Sequence, residues 1–206
     1  DHGSSLDFKP TPNWWGGGTG TLSGVRAVVV SDATDAVTRY EHNELDVIGY
    51  SPNSDTPPEV PVDTLRKYAA EHTLASQVKS RPWLEMMWLR FNTIVGALSG
   101  SAGQPARKAL SQAIDRKALV AAACDGGITC IAATGGIFLK GLQGYLGDNQ
   151  DPNAQFDPAA ASVALHSWDP DGTKSRAIHL YSPPYFASVA KEVQRQWKAN
   201  LGLVIP

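Results

Sequence analysis

The sequence predicts an α/β fold, and three stretches carry the prediction. A β-branched run, Val25-Arg26-Ala27-Val28-Val29-Val30, precedes a helix-length amphipathic segment and then the apolar Leu45-Asp46-Val47-Ile48. Strand, helix and strand within about 25 residues make a compact parallel crossover. Residues 187–200 set Val189, Val193 and Trp197 on one helical face and run straight into the strand-like Leu201-Gly202-Leu203-Val204-Ile205. Residues 104–124 fail as one helix: Leu110, Ala113 and Ile114 share a face, but Lys117 then falls on it and Leu119 lies opposite. Two helices read better. Pro105 suits a first helical position, and Asp115 caps a second helix whose Leu119, Val120 and Ala123 form a new face. The joint of this corner is Asp115-Arg116.

The remaining elements follow in order. Residues 1–5 are polar and read as a disordered or expression-derived tail. Leu6-Asp7-Phe8 alternates as a short strand does, and Pro10 and Pro12 end it. Asn13-Trp14-Trp15 then leads into Gly16-Gly17-Gly18-Thr19-Gly20. A phosphate cradle follows a strand and opens a helix; this loop precedes a strand, so it reads as a flexible turn between strands. Asp32-Ala33-Thr34-Asp35 offers capping chemistry to a helix through about Asn43, with Ala36, Val37 and Tyr40 at helical spacing. Asp35 is the favoured cap; Asp32 is divided between capping and facing a ligand, because capping needs one carboxylate.

Pro52, Pro57, Pro58 and Pro61 mark an extended surface loop, and Asp63 caps a helix to about Glu71. Residues 77–92, with Trp83, Met86, Met87, Trp88 and Leu89, are apolar enough for a long central strand. Residues 94–103 form a small-residue loop. From 126 to 151 glycine and turn residues dominate, which predicts an irregular excursion. Asp157-Pro158 opens a helix to about His166, Asp169-Pro170-Asp171-Gly172 is a turn, and residues 177–181 make a strand. No repeat of fixed period is visible.

A chain of 206 residues holds one large or two small domains and can bury a real core; here residues 6–206 read as a single α/β domain. Hydrophobic content of 42% against 18% charged residues marks a globular protein. The net charge of −2, without a run of either sign, argues against a nucleic-acid partner or an anionic membrane surface. No apolar run is long enough to span a bilayer, and no export signal opens the chain.

Cys124 and Cys130 flank Asp125-Gly126-Gly127-Ile128-Thr129. A disulfide is the favoured reading, since the glycine-rich loop can bend enough, and it implies an oxidising compartment. Two free thiols remain open, and a metal is disfavoured by spacing and by the lack of a nearby histidine. Catalytic signatures are missing: no nucleophile elbow, zinc-protease helix, P-loop or redox dithiol. His42-Asn43-Glu44 has the core of a zinc-deaminase motif without its paired cysteines. Asp169 and Asp171 resemble the start of a calcium loop without its distal glutamate. The five histidines are scattered, so no enzyme activity and no cofactor is expected.

Several motifs in order resemble one family. Pro12-Asn13-Trp14-Trp15-Gly16 is similar to the "NPxYW" signature of the extracellular solute-binding proteins of peptide and nickel ABC transporters, family 5. VRAVVVSDATDAVTRYEHNELDV resembles that family's strand and following helix, and Leu89-Arg90-Phe91-Asn92-Thr93 its "lgfNt" strand end. RKALSQAIDRKALV, FDPAAASVAL and WKANLGLVI resemble later family segments, with the family's Asp-Arg joint at Asp115-Arg116. The sequence departs from the family pattern at Asn43, usually glycine, and at VGALSGSAGQPAR, which lacks the usual "PPF-x-D".

The resemblance implies part of the second lobe of a two-lobed, periplasmic-binding-protein-like (type II, flytrap) fold: a mixed sheet flanked by helices, incomplete, with an exposed sheet edge. It implies capture of an extracellular solute, an oligopeptide first of all, by lobe closure, and delivery to the membrane permease of an ABC importer. The protein would be extracellular, periplasmic or anchored as a lipoprotein. Ligand-facing positions would be Asp32, Ala33 and Thr34 at one strand-to-helix turn, and Tyr185 and Phe186 at another, the latter as apolar wall and stacking surface. The other reading on the same fold is a cell-envelope regulatory or interaction lipoprotein that transports nothing. Residues 1–206 alone should bind peptide no more tightly than roughly millimolar, because half a cleft cannot enclose a ligand.

Overall fold

The structure is a computed structural model that describes residues 3–12, 15–16, 20–49, 60–71, 74–79 and 85–206. Asn13 and Trp14, residues 17–19, Pro52, Pro57, Pro58 and Trp83, all singled out above, lie outside the described residues, as do two of the five histidines, His2 and His72. The chain forms two compact units, residues 1–78 and 79–206.

In the first unit β1 (Ser5–Phe8) and β2 (Val25–Val28) pair antiparallel, with Asp7 opposite Arg26. Their side chains form a salt bridge at 2.6 Å. The turn expected between two strands therefore joins a hairpin-like pair. β2 does not start a parallel crossover. Leu45-Asp46-Val47-Ile48 is not a strand: Val47 is 82% exposed, and Ile48 packs beside helices instead. A parallel strand needs both faces covered, and β2 itself is exposed along its length.

α1 (Ala33–Glu41) starts where its sequence predicts, but the cap is Asp32 and not Asp35. The Asp32 carboxylate accepts the Asp35 N–H at 2.9 Å, and Asp35 pairs with Arg39 one turn on. Asp35 cannot cap because it already has helical geometry at the third position, where an acid interacts with the helix dipole instead. α2 (Val62–Ala70) has Pro61 before it and no side-chain cap. Asp63 sits in its first turn and bonds Arg66. Val37, Val60 and Tyr68 form a small core, edged by Tyr40, Ile48 and Leu65.

The second unit is helical. α3 (Gln104–Gln112) and α4 (Arg116–Ala123) make the predicted corner; α5 (Pro158–Trp168) and α6 (Ala187–Leu201) pack against it. Ala106, Ala109 and Leu110 on α3, Ala113 just after it and Ala161 on α5 are completely buried. Small side chains at these positions let α3 and α5 come close, and Leu165, Trp168, Val193 and Trp197 fill the space around them. The caps are as the sequence predicts: Asp115 accepts the Lys117 and Ala118 N–H groups at 2.9 and 3.0 Å, and Asp157 accepts the Ala160 N–H at 2.9 Å. Gly202, at φ 69°, ends α6 in a left-handed turn that a side chain would strain.

The expected strands of this unit are not formed. Residues 85–92, 177–181 and 201–205 contain no strand, so the mixed sheet is replaced by a two-stranded one among the described residues. A backbone bond links the end of the chain to the segment after Ile178, from the Leu180 N–H to the Pro206 carbonyl at 2.9 Å. Apolar composition makes a segment fit for a sheet, but a strand exists only by pairing. As expected, residues 128–151 form an irregular excursion, held at its base by Asp151 N–H to Thr134 carbonyl at 3.1 Å.

Candidate functional site

Two places expected to face a ligand lie in different units, and each is built locally. At the turn from β2 to α1, Asp32 has extended backbone, and one of its carboxylate oxygens is occupied by the cap. Asp32 and Thr34 are exposed and Ala33 is half-buried. The Thr34 carbonyl accepts the Thr38 hydroxyl at 2.9 Å, inside the helix. The turn thus presents a carboxylate, a small methyl and a hydroxyl to solvent, on a backbone fixed by capping.

In the second unit, Pro183 precedes a single 3-10 turn, Pro184–Phe186, that feeds α6. The Phe186 N–H bonds the Pro183 carbonyl at 3.0 Å. Two successive prolines preset the backbone, so the turn forms at little entropic cost. Tyr185 is 68% exposed and Phe186 half-buried; their rings meet edge to face with centroids 4.4 Å apart. Tyr181, 89% exposed, lies in the segment before it, its ring 6.5 Å from that of His179. Period-two alternation explains the pair: Ile178 and Leu180 turn into the core while His179 and Tyr181 turn out. His179 was missed in the sequence, although this alternation was legible there. Tyr185 and Phe186 form an aromatic ledge that can stack against apolar or aromatic groups, and His179 and Tyr181 form a second exposed pair before it.

Other polar groups are committed to structure. Asp169, buried at the end of α5, accepts the Lys174 and Ser175 N–H groups at 3.0 and 2.8 Å. Burial pushes its carboxyl upward, but the hydrogen bonds from Ser175 and Lys174 outweigh this and hold it down at about 2. Asp171 bonds the backbone and hydroxyl of Thr173. These contacts turn the calcium-like motif into a closed loop. At the corner, Arg116 donates to the Ala154 carbonyl at 3.1 Å and to the Ser111 hydroxyl at 3.1 Å. Its burial lowers its affinity for the proton. Asp115-Arg116 is thus a scaffold, with Asp115 capping one helix and Arg116 fastening the end of the excursion.

Cys124 and Cys130 form a disulfide. Cys124 is the residue that ends α4 and is 4% exposed; Cys130 is half-buried. Among the described residues no three His, Cys, Asp or Glu side chains cluster as metal ligands. No described helix is long and apolar enough to cross a membrane. Among the described residues, two shallow grooves stand out. One is lined by Lys191, Arg195, Lys198 and Val204, the other by Tyr40, Glu41, Asp46 and Tyr68.

No curated protein matches the chain. The family model described as bacterial extracellular solute-binding proteins, family 5 Middle, matches residues 1–205. Proteins of this family bind solutes outside the cytoplasm for ABC importers, working with a membrane permease, and they share a periplasmic-binding-protein-like fold. The family in general binds rather than transforms its solutes. With nearly every residue matched, the chain belongs to the bacterial extracellular solute-binding proteins of family 5.

Proposed function

We propose that the solute is an oligopeptide, that residues 6–206 form part of lobe two, and that closure of two lobes holds the ligand. The observation that carries this reading is the aromatic ledge. Tyr185 is large, exposed and polar-tipped, set on a proline-fixed turn at the head of α6, and Tyr181 is exposed in the segment before that turn. Rigid aromatic surface of this kind suits a ligand with varied apolar side chains, because stacking is tolerant of the group stacked. The exposed carboxylate and hydroxyl of Asp32 and Thr34 add polar contacts for a backbone or a charged terminus. Binding by closure follows from a ligand that touches both lobes and so favours the closed state.

Mass spectrometry of ligands released from the full-length protein tests the proposal. Recovery of a set of peptides is the expected result. A cleft consistently empty, or filled with lipid, contradicts it and favours a non-transport envelope role on the same fold.

A further inference from the structure

We propose that the Cys124–Cys130 disulfide is a redox-sensitive latch on the aromatic ledge: its reduction by a dithiol loosens the end of α4 and, through it, the turn that carries Tyr185 and Phe186.

The end of α4 is held by the disulfide, by the buried Cys124 and by hydrogen bonds to its last carbonyls. No residue of α4 is fully buried and Leu119 is its one side chain packed against the main core, so its end depends on these local links. The last carbonyls of a helix have no partner within it. Here the Ala123 carbonyl accepts the Ser188 hydroxyl at 3.2 Å. The Cys124 carbonyl accepts the Gly127 and Thr129 N–H groups at 2.9 and 3.3 Å. The backbone between is left-handed at three successive residues, Asp125 (φ 53°), Gly126 (φ 70°) and Gly127 (φ 95°). For Asp125 this is a costly conformation that persists only when its surroundings impose it. A side chain placed at Gly126 would meet open space, so packing does not impose it there. The bond from Cys124 to Cys130 closes this loop.

The same helix end is bonded to the helix that follows the ledge. Ser188 lies in the first turn of α6, two residues after Phe186, and α4 packs against α6. The Ser188–Ala123 bond therefore ties the turn bearing Tyr185 and Phe186 to the residue adjoining the disulfide. If α4 frays, that bond goes with it.

The chemistry is thiol–disulfide exchange. A thiolate of an external dithiol attacks Cys130 Sγ, the more accessible sulfur, and the Cys124 Sγ leaves with the electron pair and takes up a proton. The second thiol of the reductant then attacks the mixed disulfide, releasing Cys130 as a thiol and the reductant as its own disulfide. Two electrons and two protons pass from the dithiol to the protein.

Hydrogen exchange on the full-length protein, oxidised and after dithiothreitol, tests the latch without any ligand. The expected result is faster exchange in residues 121–130 and also in residues 186–192, by roughly three- to tenfold as for loss of one hydrogen bond, with α5 unchanged. Ser188→Ala in the oxidised protein should reproduce the effect in residues 186–192. Three outcomes overturn the latch: acceleration confined to residues 121–130, acceleration throughout including α5, or a disulfide that resists the reductant in the native protein. An effect on ligand affinity rests on the proposed peptide site. Should the exchange pattern appear while peptide affinity stays constant, the placement of the ligand on the ledge fails and the latch stands.

Discussion

The indole N–H of Trp197 donates to the carbonyl of Leu110 at 2.9 Å, across 87 residues of sequence. Leu110 lies in the last turn of α3, where carbonyls lose their helical partners because the chain turns at the corner. α6 supplies the missing donors. Asn200 donates to the Ala113 carbonyl at 2.8 Å, and Gln196 accepts the Asp115 N–H at 2.7 Å while donating to Glu192. One helix thus satisfies the exposed backbone of a break between two others. Trp197→Phe keeps most of the volume and leaves the buried Leu110 carbonyl unpaired. It should cost about 1–3 kcal/mol in denaturant unfolding of the second unit. An unchanged midpoint would show that water or another donor replaces the indole.

Removing the cap at the corner should cost less. Asp115→Ala loses the acceptor for two N–H groups at the start of α4 and should destabilise by about 1 kcal/mol, with Asp115→Asn retaining most of that. Asp157→Ala should behave alike at the start of α5. Thermal melts of the three variants check the order.

Much of this scaffold was legible in the sequence. Asp115, Asp157 and Pro158 announce helix starts through local chemistry that needs no distant partner. The polar row Glu192, Gln196 and Asn200 was not read. These residues sit among Val189, Val193 and Trp197 on the inward face, and polar residues interrupting an apolar stripe were the available sign. The corner partners of Gln196 and Asn200 lie more than 80 residues away, which no local pattern specifies. The strands failed for a related reason. Leu45-Asp46-Val47-Ile48 and residues 201–205 have sheet-like composition, but composition does not supply a neighbouring strand. At the candidate site, Tyr185 and Phe186 were named through the family resemblance and not from local pattern, whereas the choice of Asp32 over Asp35 as cap depended on where the helix actually begins.

Acid should weaken the second unit at Asp169. In the unfolded chain its carboxyl titrates near 3.8, and in the folded chain at about 2. The folded state therefore holds fewer protons in between, so this stabilisation is complete above the unfolded value and is lost as pH falls through about 2. Asp169→Asn should flatten stability over that window and lower it at neutral pH, measured by urea unfolding at stepped pH. Equal pH slopes in variant and parent would contradict the assignment.

Alkali should weaken the first unit at Tyr68. Burial first, and then its hydrogen bond to Glu41, push its hydroxyl up from 10.0 to about 12. The stabilisation is present below pH 10 and disappears as pH rises through about 12. Tyr68→Phe should remove this dependence, and fluorescence-detected unfolding between these limits would reveal whether it does.

The aromatic ledge carries the central claim, and the calorimetric affinity of the full-length protein for the peptides recovered from it tests that claim most directly. Tyr185 is exposed and holds no part of the core, so Tyr185→Ala should leave the melting temperature unchanged. Its affinity should fall by about tenfold, the loss of one aromatic contact. Peptide binding of equal strength in Tyr185→Ala and the parent protein would contradict the account.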